Sequence, residues 1–182
     1  MNGNVVSYTL TIEQIGGSGI TVPGYGFMLN NELTDFNPEP TQGDAPDPNL
    51  VEGGKRPRSS MAPTIVLRDG EPFLAVGTPG GTTIITTVAQ ILMNRIDLGM
   101  SLPQALAAPR ATQRNTEKVV AEPAFLGSPQ AKKLAELGHE FDSMDEIGAA
   151  TGIEFLPDGR LQAVAEPERR GGGSAGVVRP IG

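Results

Sequence analysis

The 182-residue sequence contains no cysteine and no tryptophan, a single histidine, and aromatic residues at only 4%. Without cysteine there can be no disulfide, no thiolate nucleophile and no zinc–sulfur site. The lone histidine, His139, leaves imidazole metal ligation unsupported; it lies in "LGHEF" just past a predicted helix end, where a solvated or loop-packing role is the ordinary reading. A Ser-His-Asp triad would have that one base, and no G-x-S-x-G elbow presents a serine to it. Basic residues are also scarce: 14 Lys and Arg against 21 acids give a net charge of −7, and "GKRPR" at 54–58 is the densest basic cluster, so the footprint of a nucleic-acid groove is missing. No charged-then-apolar leader opens the chain, and no apolar run reaches the roughly 20 residues of a membrane span. Neither nucleotide-binding fingerprint, G-x-x-x-x-G-K-[ST] or G-x-G-x-x-G, occurs.

Glycine and proline are plentiful instead, at 24 and 16 residues, and with 38% hydrophobic residues this describes long loops around a compact core. One domain is expected over 1–168, followed by a flexible tail over 169–182. "NVVSYTLTI" at 4–12 reads as a strand leading into a glycine turn at 16–19, and "GFMLNNEL" at 26–33 is a second apolar run. The 37–57 segment has no periodicity and is dense in proline, glycine and acid, as a lid or binding loop would be; its Asp44, Asp47 and Glu52 read as a solvated face rather than a calcium cage. Two apolar runs meet at Asp69-Gly70, a hairpin signal, and the second runs into "TPGGT" and then a helix with Ile84, Val88, Ile91 and Leu92 on one stripe. Shorter helices are expected after Ser101 and Ser128, and a hairpin turning at 157–159 closes the series. Strands, a helical middle and strands again give an α+β layered sheet.

Three features can carry chemistry. Gly80 and Gly81 stand where a strand hands over to a helix, and the first N–H groups of a helix have no intrahelical partner, so the turn suits a carboxylate, phosphate or oxyanion. Ser59 and Ser60 place paired hydroxyls just before the hairpin, and Glu32 and Asp35 place two acids at the end of a predicted strand. Hydroxyl donors for a carboxylate and acids for an amine describe an amino-acid head-group site.

At these residues the chain resembles a known family. "GFMLNNELTDF", "GKRPRSSMAPTIVLRDGEPFLAVGTPGGTTIITTV" and "APR" at 108–110 are similar, in order, to the small subunit of the gamma-glutamyltransferases, over about residues 3–168. The resemblance implies the α-β-β-α four-layer sandwich of the N-terminal-nucleophile hydrolases, and a precursor that cuts itself into two subunits, with the small subunit's new N-terminal threonine as nucleophile. By the same match Gly80 and Gly81 form the oxyanion hole, where preorganised N–H donors are worth about 3–4 kcal/mol. Ser59 and Ser60 bind the substrate's alpha-carboxylate, Glu13, Glu32 and Asp35 hold its alpha-amino group, and Thr11 hydrogen-bonds the nucleophile. The implied substrate is glutathione or a related gamma-glutamyl compound, and the acceptor is an amino acid, a peptide or water. The implied partner is the large subunit of the same precursor, and no cofactor or metal is called for.

This chain departs from the family's pattern in places. Many members carry asparagine where it has Glu13 and glutamine where it has Glu32, so both amino-group contacts become charged. The 37–54 loop is shorter than in members whose lid tyrosine covers the site, and 37–57 contains no tyrosine, which implies a more open pocket. Aligning Thr11 puts the nucleophile upstream of Met1, and the large subunit's arginine for the alpha-carboxylate is absent too, so the 182 residues alone are expected to show no turnover. Other classes fit the same residues: a non-catalytic amino-acid-binding module or structural partner subunit, or a glutaryl-type acylase. Asp35 favours an amino-bearing substrate over a glutaryl chain, which has no ammonium.

Overall fold

The computed structural model describes residues 3–41 and 43–178. The chain divides into two compact units, Met1–Thr9 with Met61–Gly182, and Leu10–Ser60, so the span expected as one domain is shared between them.

The larger unit runs, in chain order, through β1 (Thr64–Arg68), β2 (Glu71–Gly77), α1 (Ile84–Ile96), α2 (Leu102–Ala107), β3 (Ala111–Thr112), β4 (Val119–Ala121), α3 (Pro123–Leu126), α4 (Pro129–Glu136), β5 (Phe141–Ser143), β6 (Thr151–Phe155) and β7 (Leu161–Ala165). Asp69 and Gly70 join β1 to β2 with φ of 54° and 86°. Positive φ at both residues is what a two-residue hairpin turn matched to strand twist needs, and aspartate and glycine tolerate it. The main sheet has the order β1-β2-β6-β7, antiparallel throughout. Phe73 to Val76 of β2 are all buried, and since successive side chains point to opposite faces, both faces of this central strand are covered.

Much of that cover is α1. Its first turns are rich in β-branched residues, which are weak helix formers, so burial of Ile84, Val88 and Ile91 against Leu74 and Val76 holds the helix more than propensity does. Leu102, Ala105 and Leu106 of α2 complete the same cluster. The expected caps are present: Ser101 and Gln104 form a reciprocal capping box, and the Ser128 side chain accepts the Ala131 N–H. The helical middle also holds a sheet that sequence patterning does not suggest, β3-β4-β5, whose strands of two or three residues are too short to show alternation.

The expected strand at 4–12 forms no ladder among the described residues. Val6, Tyr8 and Leu10 are 75–80% exposed while Val5, Ser7 and Thr9 are partly buried, so the alternation of a strand is present without a partner strand to accept its hydrogen bonds. The Ser7 hydroxyl donates to Val76 O at 3.3 Å.

In the 10–60 unit, residues 18–29 fold back on themselves through Ser18 N–H to Leu29 O, Leu29 N–H to Ile20 O and Val22 N–H to Phe27 O, each at 2.9 Å. A single 3-10 turn, Glu32–Asp35, follows.

The expected flexible tail begins at Arg169, yet the structure fixes that residue by ion pairs to Glu122 and Glu166, and Gly173 N–H donates to Glu166 O at 2.8 Å. Positions 179–182 of that tail lie outside the described residues.

Candidate active site

The double glycine lies between β2 and α1, with Gly80 at φ 154° and Gly81 at φ 56°, a combination that strongly favours glycine. Thr83 closes the turn: its N–H and its hydroxyl reach Gly80 O at 3.2 and 2.9 Å. Among the described residues neither the Gly80 nor the Gly81 N–H has a backbone acceptor, so both donors are left for an anion. The turn is buttressed by the 147–149 segment. Ala149 N–H donates to the Thr78 hydroxyl at 2.9 Å, and that hydroxyl donates to Pro79 O at 2.7 Å. A Cβ on Gly80 would come within 2.8 Å of Thr83 Oγ1 inside the turn, and one on Gly148 within 2.7 Å of Thr78 Oγ1, so Gly80 lets the turn tighten and Gly148 lets the buttress close on it.

The buttress is itself anchored by buried charge. Glu122 accepts from Ile147 N–H at 2.9 Å and Arg110 N–H at 2.8 Å, and pairs with Arg169. Glu166 pairs with both Arg110 and Arg169 at 3.0 Å. Burial pushes the Glu122 carboxyl up, but hydrogen bonds from Arg169, Ile147 and Arg110 outweigh it and hold the group below the usual carboxylate range. Arg110 is drawn below its usual value by burial and then by the neighbouring Arg169, although Glu166 opposes this. Two arginines and two glutamates together bury no net charge.

In the other unit the structure brings several expected residues together. Thr11 Oγ1 accepts the Glu13 N–H at 2.9 Å, and Glu13 sits at φ 73°, a conformation held by its neighbours. Asn31 is fully used: its Oδ1 accepts Gln14 N–H at 3.0 Å, while its Nδ2 donates to the Glu13 carboxylate and to Thr34 Oγ1 at 3.0 Å. The Glu32 carboxyl is pushed up by burial first, then by the charge and hydrogen bonding of Asp35, then by the charge of Glu13. Glu32 Oε1 is buried and accepts nothing from the described residues. The charges of Asp35 and Glu13 beside Glu32, and the unpartnered Glu32 Oε1, leave this corner suited to a hydrogen-bond donor that carries positive charge.

Asn49 ties these acids to the serines. Its side-chain N–H donates to Asp35 O at 2.7 Å and its side-chain oxygen accepts Arg58 N–H at 2.8 Å, one residue before Ser59 and Ser60. Asp47, expected as part of a solvated face, instead organises this loop: it accepts from Asn37 Nδ2 at 2.7 Å, Thr41 N–H at 3.2 Å, the Thr41 hydroxyl at 2.9 Å and Asn49 N–H at 2.8 Å. Those donors, led by the Asn37 side chain, lower its carboxyl to about 2. Sequence reasoning passed over Asn31 and Asn49 and read Asp47 only as solvated; the available signal was the Asx residue itself, whose side chain bonds nearby backbone where regular structure is absent. Among the described residues no group of three or more His, Asp or Glu could hold a metal ion, and no helix is long and apolar enough to cross a membrane.

A family model described as gamma-glutamyltranspeptidase matches residues 1–176. The glutathione hydrolase proenzyme of Bacillus subtilis (strain 168) is 44% identical over 173 residues, a stretch that is 93% of this chain and 28% of the relative. That of Escherichia coli (strain K12) is 38% identical over 176 residues, 91% of this chain and 30% of the relative. The chain therefore spans less than a third of the length of these curated relatives. Among solved structures, a gamma-glutamyltranspeptidase from Pseudomonas nitroreducens complexed with L-DON superposes with a TM-score of 0.85 at 34% identity, covering 98% of this chain and 95% of that one. The likeness places this chain in the α+β class, as part of an N-terminal-nucleophile hydrolase sandwich.

Proposed function

Because the chain belongs to the gamma-glutamyltranspeptidase family, we propose that it supplies the head-group and oxyanion sites of an enzyme that transfers or hydrolyses the gamma-glutamyl group of glutathione and related compounds. The observation that carries this reading is the acid trio Glu13, Glu32 and Asp35, with one buried carboxylate oxygen unpartnered. A substrate ammonium placed there offsets the negative charge that Asp35 and Glu13 set beside Glu32 and gives Glu32 Oε1 a donor. A glutaryl group has no such cation, so the trio argues against an acylase acting on it.

In the proposed reaction a threonine hydroxyl of the assembled enzyme adds to the gamma-carbonyl carbon. The carbonyl oxygen gains negative charge facing the Gly80 and Gly81 N–H groups, the amine leaves with a proton, and a glutamyl ester remains. Water or an acceptor amine then breaks that ester. Thr11 accepts the Glu13 N–H, so its own proton is available to donate to the nucleophile oxygen. Ser59 and Ser60 serve the alpha-carboxylate. The partner polypeptide is the large subunit of the family's proenzymes.

The test uses this chain assembled with its large subunit and a gamma-glutamyl anilide. Turnover is expected, and Gly80→Ala, which displaces an oxyanion donor, should lower kcat about a hundredfold while changing KM little. Full kcat in that variant would remove the oxyanion role, and an inactive wild-type assembly would remove the reading itself.

A further inference from the structure

We propose that Asn49 is a positioning residue that sets the spacing between the acids that meet the ammonium and the serines that meet the carboxylate, so that one amino-acid head group satisfies both. The inference rests on the head-group reading above. Both sets of groups stand on segments with little regular structure: Glu32–Asp35 is one 3-10 turn, and Ser59 and Ser60 lie in an irregular stretch. No ladder or long helix fixes the distance between them.

Asn49 does so directly. It is 9% exposed, and its polar groups reach the 35–37 stretch, Asp47 in its own loop, and Arg58. Its side-chain N–H bonds Asp35 O, its side-chain oxygen takes Arg58 N–H, its backbone N–H bonds Asp47 Oδ1, and its carbonyl takes Asn37 N–H at 2.9 Å. The two side-chain bonds, 2.7 and 2.8 Å, hold the Asp35 carbonyl and the Arg58 amide on the nitrogen and the oxygen of one rigid planar group. Asparagine is suited to this in a way its neighbours in chemistry are not: ionised aspartate has no donor, alanine has neither group, and glutamine is a methylene longer. The amide therefore measures a distance, and a ligand bearing both an ammonium and a carboxylate is the one that reads it.

The test compares competitive inhibition of the assembled enzyme by L-glutamate, which uses both ends, and by glutarate, which has no ammonium. In Asn49→Ala the Ki for L-glutamate should rise about tenfold, as expected for loss of a bridging buried hydrogen-bond pair, with the Ki for glutarate and kcat each held within about twofold. Asn49→Asp keeps the acceptor for Arg58 and loses the donor to Asp35, so about a fivefold rise for L-glutamate alone is expected. Equal weakening of both inhibitors, unchanged inhibition by both, or loss of folded enzyme in both variants would assign Asn49 a purely structural role and overturn the inference. A wild-type enzyme without gamma-glutamyl turnover is a separate result, which fails the parent reading rather than the spacing argument.

Discussion

At the scale of single residues, Glu32 shows how a site is built against its own stability. Its carboxyl is pushed above the usual value of 4.5 by burial and by the facing acids. A carboxylate raised in the folded state penalises folding once the pH exceeds that raised value, and the penalty is absent below the unfolded value. Glu32→Gln should therefore raise the thermal midpoint of the ligand-free protein at pH 7 and leave it unchanged at pH 3.5. The same substitution removes one anion from the ammonium site, so KM for a gamma-glutamyl anilide should rise about tenfold. In the wild type, affinity should fall as acid protonates Glu32. A variant that lost both stability and affinity would instead mark Glu32 as a structural residue.

At the scale of elements, the 37–57 loop is the clearest case of order without secondary structure. Asp47 gathers Asn37, Thr41 and Asn49, and these bonds hold its carboxyl at about 2. A depressed carboxyl contributes stability above its unfolded value of 3.8 and loses it as the pH falls from there through about 2. Hydrogen exchange at the Asn37 and Asn49 amides should accelerate across that window, and Asp47→Asn should show the fast exchange already at pH 7. Slow exchange in the variant would mean that the contacts not made by Asp47, the Asn49 bonds among them, hold the loop. The β2–α1 turn obeys a different constraint, steric rather than ionic. Gly148→Ala puts a methyl 2.7 Å from Thr78 Oγ1 at a backbone φ of 69°, and about 1–3 kcal/mol of unfolding free energy should be lost, read by urea denaturation.

At the scale of the larger unit, Arg169 ties the end of the described chain to its middle. It bonds Glu122, Glu166, Leu106 O and Ala108 O, and Glu122 in turn holds Ile147 beside the oxyanion turn. Arg169→Met leaves two buried carboxylates with one guanidinium between them. Breaking a buried pair from one side typically costs about 3–5 kcal/mol, which for a chain of this size lowers the thermal midpoint by about 10 °C. Adding Glu122→Gln to that variant removes the orphaned charge and should recover part of the loss. A double variant that simply sums two losses would show that the charges do not act as one network.

Sequence by itself determined the elements whose signals are local. The Asp69-Gly70 hairpin, the α1 stripe, the caps at Ser101 and Ser128, and the strand–turn–helix around Gly80 and Gly81 depend on dihedral preference and apolar period over a few residues. The family motifs named the candidate residues in the same local way. Tertiary structure decided what those residues do to one another: that Asp47 clasps a loop, that Asn49 spans two binding segments, that Arg169 is anchored rather than free, and that 4–12 finds no ladder partner among the described residues. The physical reason is the range of the interactions. A turn or a helix stripe is satisfied by neighbours in the chain, whereas a buried amide, a paired charge or a strand edge is satisfied only by whichever distant segment folding brings to it.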